Sequence, residues 1–264
     1  MKQIRLGAVD YLNARPLVYG LELQADLFAL RFDPPSKCAA LLHEGSIDVG
    51  MIPSIEYQRG HMPYHIVPGM AITSDGPVAS VALFSTKPLD QVRTIAADTS
   101  SRTSVGLLRV LCYERFAVDA SFEPMAPDAT AMLSRCDAAL IIGDAALFLD
   151  HEALGARKID LGAEWTEMTG LPFVWAFWAG RPGVVSPRAV AALTAARDAG
   201  VAASDEVAGV YCGAERAELG RTYLRENIRY TVGEREEAGL NKYYELAARH
   251  GVVDTTRALQ YYRS

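Results

Sequence analysis

Ala8-Val9-Asp10-Tyr11-Leu12-Asn13-Ala14-Arg15-Pro16-Leu17 is the stretch from which the rest of the chain can be read. Apart from Arg5, residues 4–9 have the apolar character of a short buried strand. Asp10 and Asn13 are both able to cap backbone N–H groups. Pro16 fits the first turn of a helix carrying Leu17, Val18 and Leu21. A strand running straight into a capped helix leaves unpaired amides and the positive helix end at the strand's C-terminal edge. That is where an open α/β sheet holds an anionic ligand. The stretch also reads as an ordinary first βα unit. A binding site gains weight because the same corner recurs near Asp98.

Working outward, residues 26–33 suggest a second strand ended by Pro34 and Pro35. Ser36 then reads as the N-cap of a helix through Ala39, Leu41 and Leu42 that stops at Gly45. Residues 47–52 form a short apolar strand, and strands over 64–67, 70–73 and 80–85 follow, with Asp75-Gly76-Pro77 as a turn. Thr86-Lys87-Pro88-Leu89 reads as a crossing point, after which the opening order returns. It runs through a strand over 94–97, the polar corner Asp98-Thr99-Ser100-Ser101-Arg102-Thr103-Ser104, and a helix through Val105, Leu108 and Leu111. A strand near 121–123, a helix opened by Asp128, an apolar strand over 137–142 and a helix to Leu149 complete the unit. Asp10 to Asp48 spans 38 positions and Asp98 to Asp137 spans 39. Order and spacing thus predict two similar units, with their polar corners facing one another across a cleft.

Residues 170–179 are rich in Phe, Val and Trp, which favours a strand that crosses back to the first lobe. Beyond it the pattern is helical over 187–199, 205–211, 214–227 and 234–250. The last of these begins with Glu residues and ends in Arg249 and His250, as the helix dipole prefers. The reading is α/β with two lobes. Residues 1–86 plus 178–264 make a discontinuous first lobe, and 87–177 an inserted second one.

The 264 residues are 50% hydrophobic and 22% charged, a globular composition with ample core. A net charge of -6 and the lack of a long Lys/Arg cluster argue against nucleic-acid binding. They do not argue against a small anion, because helix ends and one or two Arg residues can reverse the local field. No window is apolar enough for a membrane span, and no signal-peptide pattern opens the chain. Cys38, Cys112, Cys136 and Cys212 are widely spaced in apolar surroundings, so buried thiols in a reducing, cytoplasmic setting are expected.

Several chemistries lack their motifs. There is no Gly-x-Gly-x-x-Gly after a strand, no phosphate loop, no His-Glu-x-x-His and no Gly-x-Ser-x-Gly. His61 and His65 are four apart, but Pro63 lies between them, and a surface turn explains them better than a metal site. What remains is a set of short polar groups at strand ends. Asn13 is the sharpest, since its amide donates and accepts at once. Ser80 opens a strand, and Ser100, Ser101 and Thr103 crowd the second corner, where serines serve as caps as readily as ligands. Arg102 could grip a carboxylate with both arms or point to solvent. Asp144, after Gly143, could simply cap the next helix. Trp165, Trp175 and Trp178 could line a cleft or fill the core.

Asp10-Tyr11-Leu12-Asn13-Ala14-Arg15-Pro16-Leu17 closely resembles the opening signature of the menaquinone-pathway chorismate dehydratases of the futalosine route. The resemblance continues through 48–57, Gly76-Pro77-Val78-Ala79-Ser80-Val81, 98–104, Ile141-Ile142-Gly143-Asp144 and Thr169-Gly170-Leu171-Pro172-Phe173. Asp10 stands where that family more often has serine, which alters a cap and keeps the Asn. The resemblance implies a type II periplasmic-binding-protein-like fold, with mixed sheets, helices on both faces and the ligand cleft between the lobes. It also implies loss of water from chorismate, a small dicarboxylate, to give 3-[(1-carboxyvinyl)oxy]benzoate with neither metal nor redox cofactor. Asn13 would orient the substrate and steady developing charge, while a carboxylate, the substrate's own enolpyruvyl group among the candidates, takes the proton. Ser80, Ser100, Ser101, Thr103, Arg102, Gly143 and Asp144 would contact the substrate. A non-enzymatic solute-binding or sensing protein of the same fold is the other reading.

Overall fold

The structure, a computed structural model, describes residues 3–263. β1 (Ile4–Val9) passes through a 3-10 turn over Leu12–Ala14 into α1 (Arg15–Val18), with Pro16 in its first turn. β2 (Phe28–Asp33), α2 (Pro35–Glu44), β3 (Val49–Pro53) and α3 (Ser54–Arg59) complete a first unit. The short β4 (His65–Ile66) and β5 (Ile72–Ser74) follow, and then β6 (Val81–Ser85). A second unit runs β7 (Thr94–Asp98), α4 (Thr103–Leu111), β8 (Ser121–Met125), α5 (Ala129–Arg135), β9 (Ala138–Ile142) and α6 (Gly143–Leu147). The chain continues through β10 (Arg157–Asp160), α7 (Leu161–Thr169) and β11 (Phe173–Gly180). It finishes with α8 (Pro187–Ala202), α9 (Ser204–Thr222) and α10 (Glu234–Arg249). Among the described residues no helix is long and apolar enough to cross a membrane.

The strands form two sheets, β2-β1-β3-β11-β4 with β5 also on β11, and β10-β6-β9-β7-β8. In each, three parallel strands are followed by one antiparallel strand: β2-β1-β3-β11 in the first, β8-β7-β9-β6 in the second. The two units predicted from spacing are therefore copies of one topology. The recurring Asp explains why that spacing is kept. Asp48, just before β3, accepts the Arg5 amide at 3.0 Å and pairs with the Arg5 guanidinium at 2.7 Å. Asp137, just before β9, accepts the Arg93 and Thr94 amides at 2.9 and 3.1 Å. Each carboxylate thus holds the start of the central parallel strand to its neighbour.

Sheet membership departs from the expected lobe boundaries of 1–86 plus 178–264 and 87–177. β6 pairs along its whole length with β9 in the second sheet, so the chain changes sheets between Ser74 and Val81. Thr86 and Lys87 are bound to Asp137 and form a turn of that second sheet. All of β11 lies in the first sheet, so the return is complete before Phe173. β10 and α7 were not expected from the sequence: Arg157-Lys158-Ile159-Asp160 is a charged edge strand without apolar alternation, and the Asp160 and Gly170 caps of α7 were passed over.

Capping also differs from expectation. α2 begins at Pro35, one residue before Ser36, whose amide instead donates to the Ser100 carbonyl at 3.2 Å. Neither Asp10 nor Asn13 caps a helix; Asp10 pairs with Arg15. In α9, Gly213 (φ 68°) interrupts the helix where the sequence pattern breaks between 211 and 214. One contiguous apolar cluster links both sheets, with Leu107 and Leu111 of α4 and Trp165, Phe173 and Tyr243 among its members.

The Arg5 hydrogen bonds hold the Asp48 carboxyl down at about 2, against the opposing effect of burial. This is below the unfolded value of about 3.9, so the pair's stabilisation is present above pH 4 and is lost as pH falls toward 2. Asp48→Asn is expected to lower stability at pH 7 by about 1–3 kcal/mol. In thermal unfolding, its deficit against the parent should shrink between pH 4 and pH 2.

Candidate active site

The two polar corners meet. Asn13 and Tyr11 from the first, with Ser101, Thr103 and Ser104 from the second, line one cavity of about 60 Å³ between the sheets. Val9, Ile72, Val78, Ile142 and Trp175 supply apolar walls, and Gly143 also borders it. Trp175 is fixed there by its indole N–H on Ser74 Oγ at 3.0 Å. The space holds a few waters, whereas drug-sized ligands occupy about 300–1,000 Å³. A drug-sized ligand therefore requires the lobes to part.

The second corner is built around buried Asp98. It accepts the Ser100 amide at 2.8 Å, the Ser100 hydroxyl at 2.6 Å and the Ile142 amide at 3.3 Å. Burial pushes its carboxyl above the ordinary value, with those bonds opposing the shift. Ser101 Oγ, two residues ahead of α4, accepts the amide of Ser104 in its first turn at 3.3 Å. Other first-turn amides of a helix have no intrahelical partner, and here that turn borders the cavity at Thr103 and Ser104.

The first corner is occupied differently. Its Leu12 amide donates to Asp144 Oδ1 at 3.1 Å, and Asp144 Oδ2 accepts the Tyr211 hydroxyl at 2.5 Å. Burial raises the Asp144 carboxyl, while those two bonds oppose the rise. An amide expected to await an anion is thus already satisfied by a carboxylate from the other sheet. Further ties are the Tyr11 hydroxyl on Ser100 Oγ at 3.3 Å and the Ile55 amide on Thr103 Oγ1 at 3.2 Å.

Of the residues singled out in the sequence, Asn13, Ser101, Thr103 and Gly143 line the cavity. Four do not. Ser80 is buried behind the wall, with its hydroxyl 2.7 Å from the Tyr223 hydroxyl. Ser100 is turned to Asp98, and Asp144 serves the first corner as described. Arg102 faces a separate crevice of about 440 Å³, where it pairs with Glu56 at 2.7 Å. Burial pushes the Glu56 carboxyl up, but the His43 hydrogen bond and the charges of Arg102 and Arg59 outweigh it and hold the group below its ordinary value. Arg102 thereby satisfies a buried carboxylate and is not available as a clamp in the cleft.

Tyr11 and Ser104 were passed over although each sits inside a quoted corner. Tyr223 had no local signal at all. It lies far downstream in a helical tail, yet its buried phenol sits 2.7 Å from the Ser80 hydroxyl. Burial raises its pKa, and hydrogen bonding at the hydroxyl opposes the rise.

Residues 4–249 match the family described as menaquinone biosynthesis. This chain belongs to that family. Within the menaquinone biosynthesis family, a curated relative from Thermus thermophilus named chorismate dehydratase is 32% identical over 267 aligned positions, covering 93% of this chain and 95% of the relative. Solved structures agree in fold. A protein from Archaeoglobus fulgidus superposes with a TM-score of 0.77 at 19% identity, covering 95% of this chain and 98% of that one. The periplasmic aliphatic sulphonate binding protein of Escherichia coli superposes with a TM-score of 0.60 at 16% identity, covering 97% and 94%. This member of the family therefore has the periplasmic-binding-protein-like fold expected of it.

Gly143 adopts φ +64°, and a Cβ there would lie 2.8 Å from the Tyr11 ring. Gly143→Ala is expected to cost about 1–3 kcal/mol from the left-handed backbone and the displaced ring. Thermal unfolding measures the loss, and an unchanged midpoint would show that the two corners do not need this approach.

Proposed function

We propose that the protein is a chorismate dehydratase, removing water from chorismate to give 3-[(1-carboxyvinyl)oxy]benzoate in menaquinone biosynthesis. The observation that carries this reading is the placement of Asn13 and the Ser101–Ser104 corner on one cavity, in a chain that matches the family over residues 4–249. The similarity to the Thermus thermophilus relative supports the choice of substrate. The four unpaired thiols suit a cytoplasmic enzyme.

The chemistry asks for positioning more than for reactive groups. One ring C–H bond and the neighbouring C–O bond break, water departs and the ring becomes aromatic, so the substrate itself supplies much of the driving force. The protein must hold two carboxylates, fix one C–H bond and exclude water. The first turn of α4, with Ser101, Thr103 and Ser104, suits one carboxylate. The apolar walls and Trp175 suit the ring. No Asp, Glu, His or Lys side chain borders the cavity among the described residues. That favours the enolpyruvyl carboxylate of the substrate as proton acceptor, with Asn13 orienting the ring and steadying the charge that develops.

Purified protein mixed with chorismate is expected to produce the ultraviolet spectrum of a substituted benzoate. Asn13→Ala should lower turnover by roughly 100-fold or more with KM little changed. Parental turnover by that variant would remove Asn13 from the mechanism. Chorismate binding without any product would instead favour the solute-binding reading.

A further inference from the structure

We propose that the free edge of β2 is a self-pairing surface: a second copy of this chain adds its own β2 antiparallel, about a two-fold axis at Phe32, and joins the two first sheets into one. The inference goes beyond the dehydratase reading and does not rest on it. β2 is the end strand of its sheet and pairs only with β1. The Ile4 amide donates to the Leu27 carbonyl at 2.8 Å, with Ile4 opposite Phe28, and this fixes which backbone groups of β2 turn inward. Residues 29, 31 and 33 direct their amides and carbonyls to β1. Leu30 and Phe32 direct theirs outward, where they meet no partner among the described residues. The other sheet ends are closed to such pairing. The chain's own tail covers β4, the Ile66 amide donating to the Gln260 carbonyl at 2.8 Å and the Tyr262 amide to the Ile66 carbonyl at 3.0 Å. β8 has Pro124, which lacks an amide, at an outward-facing position. β10 is short and carries Arg157 and Lys158.

The charges on the edge select a second copy as its occupant. Arg31 and Asp33 share one face of β2 and pair with each other at 2.6 and 3.1 Å. In an antiparallel pair, residues whose backbone groups face outward must sit opposite one another to exchange bonds. An axis at Arg31 would oppose Arg31 to itself, a destabilising like-charge contact. An axis at Leu30 would set Arg31 against Ala29. An axis at Phe32 sets Arg31 against Asp33 of the second copy, and Asp33 against its Arg31, so each charge meets its opposite. The opposite face of β2 is apolar. Phe32 is 41% exposed there, and Leu23 and Val210, 86% and 82% exposed, flank it in a groove of about 820 Å³. The Arg15 guanidinium lies 5.1 Å from the centre of the Phe32 ring and steadies it from within the chain. A second Phe32 ring set beside the first covers apolar surface that otherwise faces water.

In sedimentation velocity at about 50 µM the parent is expected to run as a dimer. Arg31→Asp places Asp opposite Asp33, and Asp33→Arg places Arg opposite Arg31. Each variant alone is expected to raise the dimer Kd by about 10-fold or more. An equal mixture of the two variants should pair again, because every Asp then faces an Arg. In the parent, the Leu30 and Phe32 amides should exchange with solvent about 10-fold more slowly at high protein concentration than at low. A monomeric parent, single variants that dimerise as tightly as the parent, a mixture that stays monomeric, or exchange at both amides that ignores concentration would each overturn the proposal. Where a variant fails to fold, the exchange measurement on the parent decides.

Discussion

One carboxylate fixes the place where the chain leaves the first sheet. Asp160 accepts the amides of Val78 and Ala79 at 3.0 and 2.7 Å, and those of Gly162 and Ala163 at 2.9 and 3.0 Å. It therefore caps α7 through Oδ1 and grips the crossover segment through both oxygens. Ala79 takes φ 61°, unusual for a residue with a Cβ, and its carbonyl accepts the Lys158 ammonium at 2.6 Å. Burial lowers the Lys158 pKa, against the opposing charge of Asp160. Left-handed backbone at a non-glycine persists only where surrounding bonds over-determine it. Here the bonds from Asp160 and Lys158 do so, and Ser80, the next residue, is set beside Tyr223 as a result.

From that crossover the rest of the site follows. β6 joins the second sheet antiparallel to β9, as β11 joins the first sheet antiparallel to β3. The two parallel trios then present the C-terminal ends of β1 and β7 to one another. Asp98 supports its own corner by holding the Ile142 amide of the neighbouring strand, whereas Asp144 reaches across to the first corner and holds the Leu12 amide. These bonds keep polar backbone satisfied inside a closed interface, where an unpaired amide would be costly. They also leave Asn13, Tyr11, Ser101 and the first turn of α4 among the polar groups bordering the cavity.

The same ties explain why so little space remains between the lobes. Tyr11, Thr103, Asp144 and Arg102 each bond across the interface, to Ser100, Ile55, Leu12 and Glu56. A cleft built this way shuts out water, and parting the lobes would exchange these buried and part-buried hydrogen bonds for bonds to solvent. Such gating suits a reaction whose main demand is a dry, oriented ring.

The sequence by itself determined the two repeated units, their polar corners and the candidate Asn13. Strand and helix periodicity, proline placement and the recurring Asp are local properties, written within about forty residues. It also carried the family resemblance, because the marker runs keep their order along the chain. Only the tertiary structure decided which polar side chains face the cavity. Serines and aspartates at strand ends cap amides and bind ligands with the same atoms, so Ser80, Ser100 and Asp144 were indistinguishable from Ser101 and Thr103 until their partners were in place. Arg102 was claimed by Glu56 from a distant helix, Asp160 lay in a charged edge strand with no periodic signal, and Tyr223 reached Ser80 across 143 residues. Long-range pairing of polar groups is a matter of where the chain folds back, and no local pattern encodes it.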